Sequence, residues 1–251
     1  MMCITIPAKF FRAVALLTAL ACLAKPALAE TTASVYLGSS HAASSDISIN
    51  QPGTNSIATF HDVNWNSDSF NNPYYYGIRI SHFFEQHNAW GIGFDYTHDK
   101  VFAQTDQRVQ VNGTWNGAPI NVSARIDQRV QSFNISHGVN IFALNVYRRW
   151  KSSASNSLLC SQCVPYVGAG PTWYVLHPEN TVNGQHNNES YMSGGFGYQL
   201  LAGLQYEISP RLGAFIETKY NSGRIKVDIA GGSGKTTLDT TQLLAGLNVT
   251  F

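Results

Sequence analysis

Charged residues and long apolar runs are both scarce in this chain of 251 residues. Only 12% of the residues are Asp, Glu, Lys or Arg, whereas soluble globular proteins contain roughly 25%. No run beyond the N-terminal region has the length and apolar character of a transmembrane helix. The scarcity of charge argues against an ordinary soluble domain, and the lack of long apolar runs excludes a helical membrane protein.

The N-terminus predicts a secretion signal over residues 1–29. Lys9 and Arg12 supply its positive end, the run "AVALLTALACLA" its apolar segment, and "ALA" before Glu30 its cleavage site. The alternative is lipidation at Cys22, but the preceding residues, Ala19 to Ala21, fit a lipidation box poorly. Removing residues 1–29 leaves 13 of the 16 basic residues and all 15 acidic ones, a net charge of −2. That balance excludes a nucleic-acid footprint.

Only two cysteines, Cys160 and Cys163 in "CSQC", follow the predicted signal. In an oxidising periplasm such a pair favours a small local disulfide. Two thiols alone make a poor zinc site, and no thioredoxin-like pattern surrounds them. We therefore interpret the pair as a structural staple.

The remaining chain is rich in Tyr, Phe, Gly and Asn, and alternates between apolar and polar residues. Aromatic residues reach 12%, yet the mean hydropathy is only −0.12. Eight alternating segments are each close to the roughly 9–11 residues that a tilted strand needs to cross a bilayer. They are Thr32–His41, Tyr74–Phe84, Trp90–Phe102, Ser136–Trp150, Val164–Leu176, Phe196–Ile208, Arg211–Tyr220 and Leu238–Phe251. The pattern predicts an all-β fold, an eight-stranded antiparallel transmembrane β-barrel over residues 30–251.

The predicted connections alternate in length. The second and third strands are joined by "EQHNA", the sixth and seventh by "SP", and the fourth and fifth by a segment of intermediate length that contains the Cys pair. The other four connections are long and rich in Asn, Ser and Gly, and they include residues 103–135. Short periplasmic turns and long outside loops are typical of outer-membrane barrels. We expect a monomer in the cell outer membrane with both termini in the periplasm.

Strand parity assigns side chains to the lumen or to lipid. Eight strands leave an interior that side chains just fill, and buried charges must pair. We therefore expect a salt-bridged plug instead of an open pore. Its predicted members include Arg79, Asp95, Asn145, Glu217 and Lys219.

The third predicted strand ends in the ionisable run "THDK". Parity places Asp99 on the lumen face, and His98 and Lys100 on the lipid face near the outer headgroups. His98 and Asp99 are candidate catalytic residues for proton or metal chemistry, and Lys100 and Arg79 are candidate substrate-binding residues. The simpler interpretation is that Lys100 anchors lipopolysaccharide and His98 belongs to the interfacial girdle.

Histidines concentrate at the predicted outer ends of the strands. His98, His137 and His177 end or begin the third, fourth and fifth strands on that side. Neighbouring strands lie about 4.8 Å apart, so these three side chains are candidate ligands of a divalent metal of unknown identity. No tight ligand spacing such as H-E-x-x-H supports the site.

Five segments resemble, in order and spacing, the outer-membrane lipid A oxidase family of small barrels. They are "SFNNPYYYGIRI", "WGIGFDYTHDKVFA", "GVNIFALNVYRRW", "PYVGAG" and "AFIETKYN", within residues 69–251. The tyrosine run and the T-H-D-K-V run are the most specific. The resemblance implies oxidation of the proximal glucosamine of lipid A to 2-aminogluconate with molecular oxygen, and a divalent metal would fit that activity. It brings no catalytic residue set, so the site candidates rest on position and motif.

The sequence leaves a second function open. Long outside loops and a polar plug serve a passive structural or adhesive barrel equally well. Such a protein would meet the lipopolysaccharide of the outer leaflet without changing it.

Overall fold

The computed structural model describes residues 30–84, 87–151, 160 and 162–251. The predicted signal, with Cys22, lies outside these residues. The described chain forms fifteen strands, numbered in chain order: β1 (Glu30–Ala42), β2 (Ser45–Gln51), β3 (Ser56–Val63), β4 (Trp65–Asn66), β5 (Tyr76–Phe84), β6 (His87–Ala103), β7 (Arg108–Trp115), β8 (Ala118–Arg125), β9 (Val130–Arg149), β10 (Cys163–Leu176), β11 (Glu179–Val182), β12 (Gln185–His186), β13 (Met192–Ser209), β14 (Leu212–Ile229) and β15 (Gly232–Thr250). Two 3-10 turns, Pro52–Thr54 and Ile126–Gln128, interrupt them.

Eight of these strands close into a ring. Their order is β1-β5-β6-β9-β10-β13-β14-β15, and β1 pairs again with β15 to complete the cylinder. Every pairing is antiparallel, as expected for strands joined in sequence. The predicted eight-stranded antiparallel transmembrane β-barrel is confirmed, and each predicted strand corresponds to one strand of the ring.

The outward face of the barrel is an apolar belt. In β15, Leu243 is 65% exposed, whereas the neighbouring Gln242 is fully buried in the lumen. In β14, Ile216 is 60% exposed and the adjacent Glu217 only 2%. An apolar exterior around a polar interior suits a barrel surrounded by hydrocarbon. Among the described residues no helix is long and apolar enough to cross a membrane.

The lumen is filled by a neutral cluster of four charges, as predicted. The Arg79 guanidinium donates to the Asp95 carboxylate at 2.8 Å and to the Glu217 carboxylate at 2.6 Å. Lys219 Nζ lies 2.9 Å from Asp95 Oδ2. The Tyr36 hydroxyl also bonds Asp95, and the Tyr166 hydroxyl donates to Glu217 at 2.7 Å. Two cations and two anions thus balance inside the cylinder.

A layer of amides lies beside the charge cluster, toward the end of the barrel that carries the additional strands. Asn145 donates to Gln199 at 2.8 Å, Gln199 to Asn221 at 2.8 Å, and Asn221 to Gln242 at 3.1 Å. Gln242 also accepts from the Tyr75 hydroxyl at 2.8 Å. These bonds satisfy polar groups that would otherwise be costly to bury.

The prediction of long irregular loops is partly wrong, because these segments form a second β-structure, here called the cap. The cap comprises β2, β3, β4, β7, β8, β11 and β12, with the adjoining ends of β6, β9, β14 and β15. Residues 103–135, predicted as one loop, contain the β7–β8 hairpin. Its turn residues Asn116 and Gly117 have φ of 50° and 79°, and Asn-Gly is the strongest short-range signal for such a hairpin.

The cap has a hydrophobic core of its own. Many of its apolar side chains are fully buried, among them Ile47, Phe60, Val111, Ile126, Phe133, Val182 and Val227. The Trp65 and Phe133 rings pack edge to face with centroids 6.0 Å apart. Burial of these apolar side chains stabilises the cap and explains why the loop sequences form an ordered structure.

Cys160 and Cys163 form a disulfide at the opposite end of the barrel, with a Cα–Cα distance of 5.2 Å. The bond joins Cys163, the first residue of β10, to Cys160 in the connection from β9. It therefore closes a local turn.

Candidate functional site at the cap end of the barrel

His98 lies on the outward face of β6, where the barrel meets the cap. It pairs with Tyr76 on β5 and with Asn140 on β9. The His98 and Tyr76 rings stack with centroids 5.2 Å apart and an interplanar angle of 26°. Neighbouring side chains cover His98, which is 6% exposed. Cross-strand pairing therefore positions the imidazole.

Asn140 fixes the tautomer of His98. Its Nδ2 donates to the Val175 carbonyl at 3.1 Å, which turns its Oδ1 toward the rings. That oxygen accepts from the Tyr96 hydroxyl at 2.7 Å and lies 3.1 Å from His98 Nδ1. Because an amide oxygen only accepts, Nδ1 carries the proton, and in the neutral ring Nε2 carries the lone pair. Nε2 has no hydrogen-bond partner among the described residues.

Asp99 lies on the other face of the same strand. Successive side chains of a strand point to opposite faces, and Asp99 is buried on the lumen side. Its carboxylate accepts from the Lys100 backbone N–H at 2.8 Å and from Gln242 Nε2 at 3.3 Å. The structure therefore does not bring the two candidate catalytic residues, His98 and Asp99, into contact.

Lys100 is buried, in contrast to the expectation that it reaches the headgroups. It lies at a register shift between Asp99 and Val101 in the pairing of β6 with β9. Such bulges redirect side chains. Lys100 Nζ donates to the Asn71 carbonyl at 3.0 Å and lies 3.9 Å from the Asp68 carboxylate. The segment between β4 and β5 thus covers the ammonium group.

Arg79, the second candidate for substrate binding, faces the lumen. Its Nε and both terminal nitrogens donate to Asp95 and Glu217. It is 5% exposed. This guanidinium balances the charge of the interior plug and lies on the opposite side of the barrel wall from His98.

The other two candidate metal ligands, His137 and His177, lie together near His98. Their rings meet edge to face with centroids 5.3 Å apart. His137 Nδ1 lies 3.2 Å from Glu179 Oε1, and the His177 ring meets the Tyr191 ring at 4.8 Å. The described part of the chain contains no group of three or more His, Cys, Asp or Glu side chains placed to hold a metal ion. The residues therefore do not fit a metal centre, and we derive no step through one.

Sequence reasoning missed the partners that position His98. Tyr76 belongs to a quoted motif, but its contact with His98 depends on the register between β5 and β6. Asn140 was assigned no role, although it lies in the segment "GVNIFALNVYRRW". Strand register, once known, reveals both residues.

No family model matches this chain, and no curated protein matches it. The solved structure of Neisserial surface protein A is similar over 90% of this chain and 98% of that protein's chain, with 13% identity and a TM-score of 0.41. The outer membrane protein OprG from Pseudomonas aeruginosa is similar over 89% of this chain and 95% of its own chain, with 11% identity and a TM-score of 0.48. For Ail, the attachment invasion locus protein of Yersinia pestis, the two shares are 88% and 98%, with 11% identity and a TM-score of 0.39. The fold assignment rests on the strand pairing described above.

Proposed function

We propose that the protein is an outer-membrane lipid A oxidase, and that His98 acts as the base. The support is the Nε2 atom of His98, a buried lone-pair nitrogen on the outward face of β6 that has no hydrogen-bond partner among the described residues. The lipid A oxidase resemblance of the motifs around Tyr76 and His98 supplies the substrate class. The proposal includes the placement of the cap outside the cell, because long connections of outer-membrane barrels lie on that side.

The reaction converts the hemiacetal carbon of the proximal glucosamine to a carboxylate. Two electrons and two protons pass to molecular oxygen, giving hydrogen peroxide and a lactone, and water then opens the lactone to 2-aminogluconate. His98 Nε2 would accept the hydroxyl proton of the hemiacetal, since general bases act through a positioned lone pair. Asn140 is a positioning residue, because it holds the proton on Nδ1.

The Tyr76 and Tyr96 rings form the wall on which the sugar would rest. Tyr76 is 39% exposed, and its ring packs against that of Tyr96 with centroids 6.1 Å apart. Aromatic residues at the interface of a barrel present an apolar face to lipid and a hydroxyl to the headgroup. Substrate lipid would therefore approach from the bilayer and not through the lumen.

Mass spectrometry of lipid A from cells with and without the gene tests the activity. We expect the chain to add one oxygen to the glucosamine disaccharide in aerated cells. His98→Ala should abolish this gain. His82→Ala is the matched control, because His82 bonds Thr31 elsewhere on β5. Both variants should retain the heat-modifiable gel mobility of a folded barrel. Full activity of His98→Ala would refute the site but not the function.

A passive structural or adhesive barrel is the second candidate. The cap favours it, because a β-structure with its own apolar core presents a stable polar surface beyond the membrane. An unchanged lipid A spectrum with the folded wild-type chain would support this alternative over the oxidase.

A further inference from the structure

Three cations share one outward surface of the cap, here called the basic strip. Arg224 and Lys226 lie on β14 and Lys235 lies on β15, and all three are exposed. Lys226 is directly paired with Lys235 across the two strands. Like charges in direct cross-strand pairs are destabilising.

The basic strip has no anionic partner within the described chain. Its three residues take part in none of the ion pairs found there. Three acidic residues, Asp46, Asp228 and Asp239, lie on the same outward face at neighbouring positions of β2, β14 and β15. None of them comes within ion-pair distance of the strip, so its charge remains available to an external anion.

The position of the strip relates it to the membrane surface. Arg224 pairs with Phe196 of β13, whose ring is 73% exposed, and the next outward pair toward the barrel joins Tyr198 and Ser222. Exposed aromatics of this kind mark the interface of an outer-membrane barrel. Lys226 is two residues beyond Arg224, roughly 7 Å farther along the strand. The strip thus begins at the interface and extends into the headgroup layer.

A cleft of about 350 Å³, lined by both polar and apolar groups, adjoins the strip. Lys235 forms part of its wall, and the other lining residues belong mainly to β2, β3 and β7: Ser48, Asn50, Ile57, Thr59 and Asn112. Hydroxyl and amide groups around one exposed aliphatic side chain suit a sugar, which offers both hydroxyls and apolar C–H faces.

We infer that the basic strip and this cleft bind the phosphorylated sugar headgroup of an outer-leaflet glycolipid. The phosphate would lie between Lys226 and Lys235, where it relieves their repulsion, and a sugar would occupy the cleft. The inference uses the proposed outward placement of the cap, but not the proposed oxidation. In the ring of strands, two strands separate β15 from β6, which carries His98, and three strands separate β14 from β6. The strip is therefore a second lipid contact and not part of the proposed reaction site.

Native mass spectrometry of the full chain in detergent, titrated with bisphosphorylated lipid A, tests the inference. We expect Lys226→Gln/Lys235→Gln to weaken binding roughly thirtyfold, from the typical contribution of two basic residues near an anionic surface. The matched control is Arg108→Gln/Arg125→Gln, which removes two exposed cations from the β7–β8 hairpin of the same cap. The control should bind as the wild type does.

Two further measurements keep the test independent of folding and of the oxidase proposal. Without lipid, Lys226→Gln should raise the unfolding temperature slightly, because it removes a like-charge pair. The loss of binding on Lys226→Gln/Lys235→Gln should be the same when it is measured in a His98→Ala background, whether or not that chain oxidises lipid A. Three results would overturn the inference. The first is equal binding of dephosphorylated lipid A, and the second is an equal loss of binding in the control variant. The third is displacement of lipid A by inorganic phosphate or a soluble sulfated polysaccharide at concentrations that leave lipid A micelles intact.

Discussion

The two halves of β14 bury opposite kinds of side chain with the same strand parity. In the barrel its inward row contains Glu217, Lys219 and Asn221, and in the cap the same row continues as Ile225, Val227 and Ile229. The outward row changes in the reverse sense, from Ile216 in the barrel to Lys226 in the cap. The backbone is continuous, so the surrounding solvent explains the difference. Surrounding lipid stabilises a strand with an apolar outward face, and surrounding water stabilises one with an apolar inward face.

The largest effect is expected from breaking the lumen cluster. Arg79→Ala should lower the free energy of unfolding by about 3–5 kcal/mol, because it leaves Asp95 and Glu217 buried with insufficient positive charge. Denaturant titration in detergent, read by heat-modifiable gel mobility, measures the loss. Arg148→Ala removes the same residue type from the outward face, where Arg148 packs on Trp90, and should cost less than about 1 kcal/mol. Equal losses would contradict the idea that the lumen depends on balanced charge.

A charge introduced into the cap core should unfold the cap without unfolding the barrel. Val227→Asp places a carboxylate at a position that is 1% exposed among apolar side chains, and should destabilise the cap by about 3 kcal/mol. Limited proteolysis should then cut the cap while the barrel keeps its gel mobility. Thr237→Asp places the same group on the outward face of β15 and should remain resistant. Loss of the barrel in Val227→Asp would show that the halves fold as one unit.

Gln242 joins the amide layer to Asp99 and Tyr75. Its replacement therefore measures how much the polar contacts at the boundary between barrel and cap stabilise the protein. Gln242→Leu should cost roughly 2–3 kcal/mol, because it leaves buried polar groups without partners. Gln205→Leu is the control, since Gln205 is only partly buried near the other end of the lumen. Equilibrium unfolding of both variants compares the losses. A smaller loss for Gln242→Leu than for the control would indicate that water replaces the missing bonds.

The smallest effect concerns pH and the cap alone. The hydrogen bond from His61 to Asn112, together with the bond of His61 to Asp46 at 2.9 Å, raises the pKa of His61 above its ordinary 6.5. A raised folded pKa stabilises the cap fully below the unfolded pKa, and this stabilisation is lost as the pH rises through the folded pKa. Hydrogen exchange of β2, β3 and β7 should therefore be slower at pH 5.5 than at pH 8, after correction for intrinsic rates. In His61→Gln this difference should shrink, and an unchanged difference would assign it to other groups.

The barrel could be predicted from the sequence because its signal is local. A period of two, short turns and strand parity identified all eight strands, and parity also assigned Arg79, Asp95, Glu217 and Lys219 to the lumen. The salt bridges among these four side chains follow from placing two cations and two anions in a space that excludes water. No long-range information was needed beyond closure of the ring.

The cap and the rim site could not be predicted in the same way. The Asn116-Gly117 turn marks a hairpin, but the packing of β7 on β3 and the burial of Phe133 depend on contacts between distant segments. The burial of Lys100 depends on a bulge in the pairing of β6 with β9. The lone pair of His98 depends on the register that brings Asn140 beside it. These features come from tertiary pairing, which local sequence patterns do not reveal.

The apolar core of the cap also seals the polar interior of the barrel. The amides at Gln242 and Asn221 are followed along their strands by Leu238 and Ile225, which belong to that core. An ion that entered from the disulfide end would meet hydrocarbon side chains before it reached the other side. In a planar lipid bilayer under an applied voltage, the folded chain should therefore carry no measurable current.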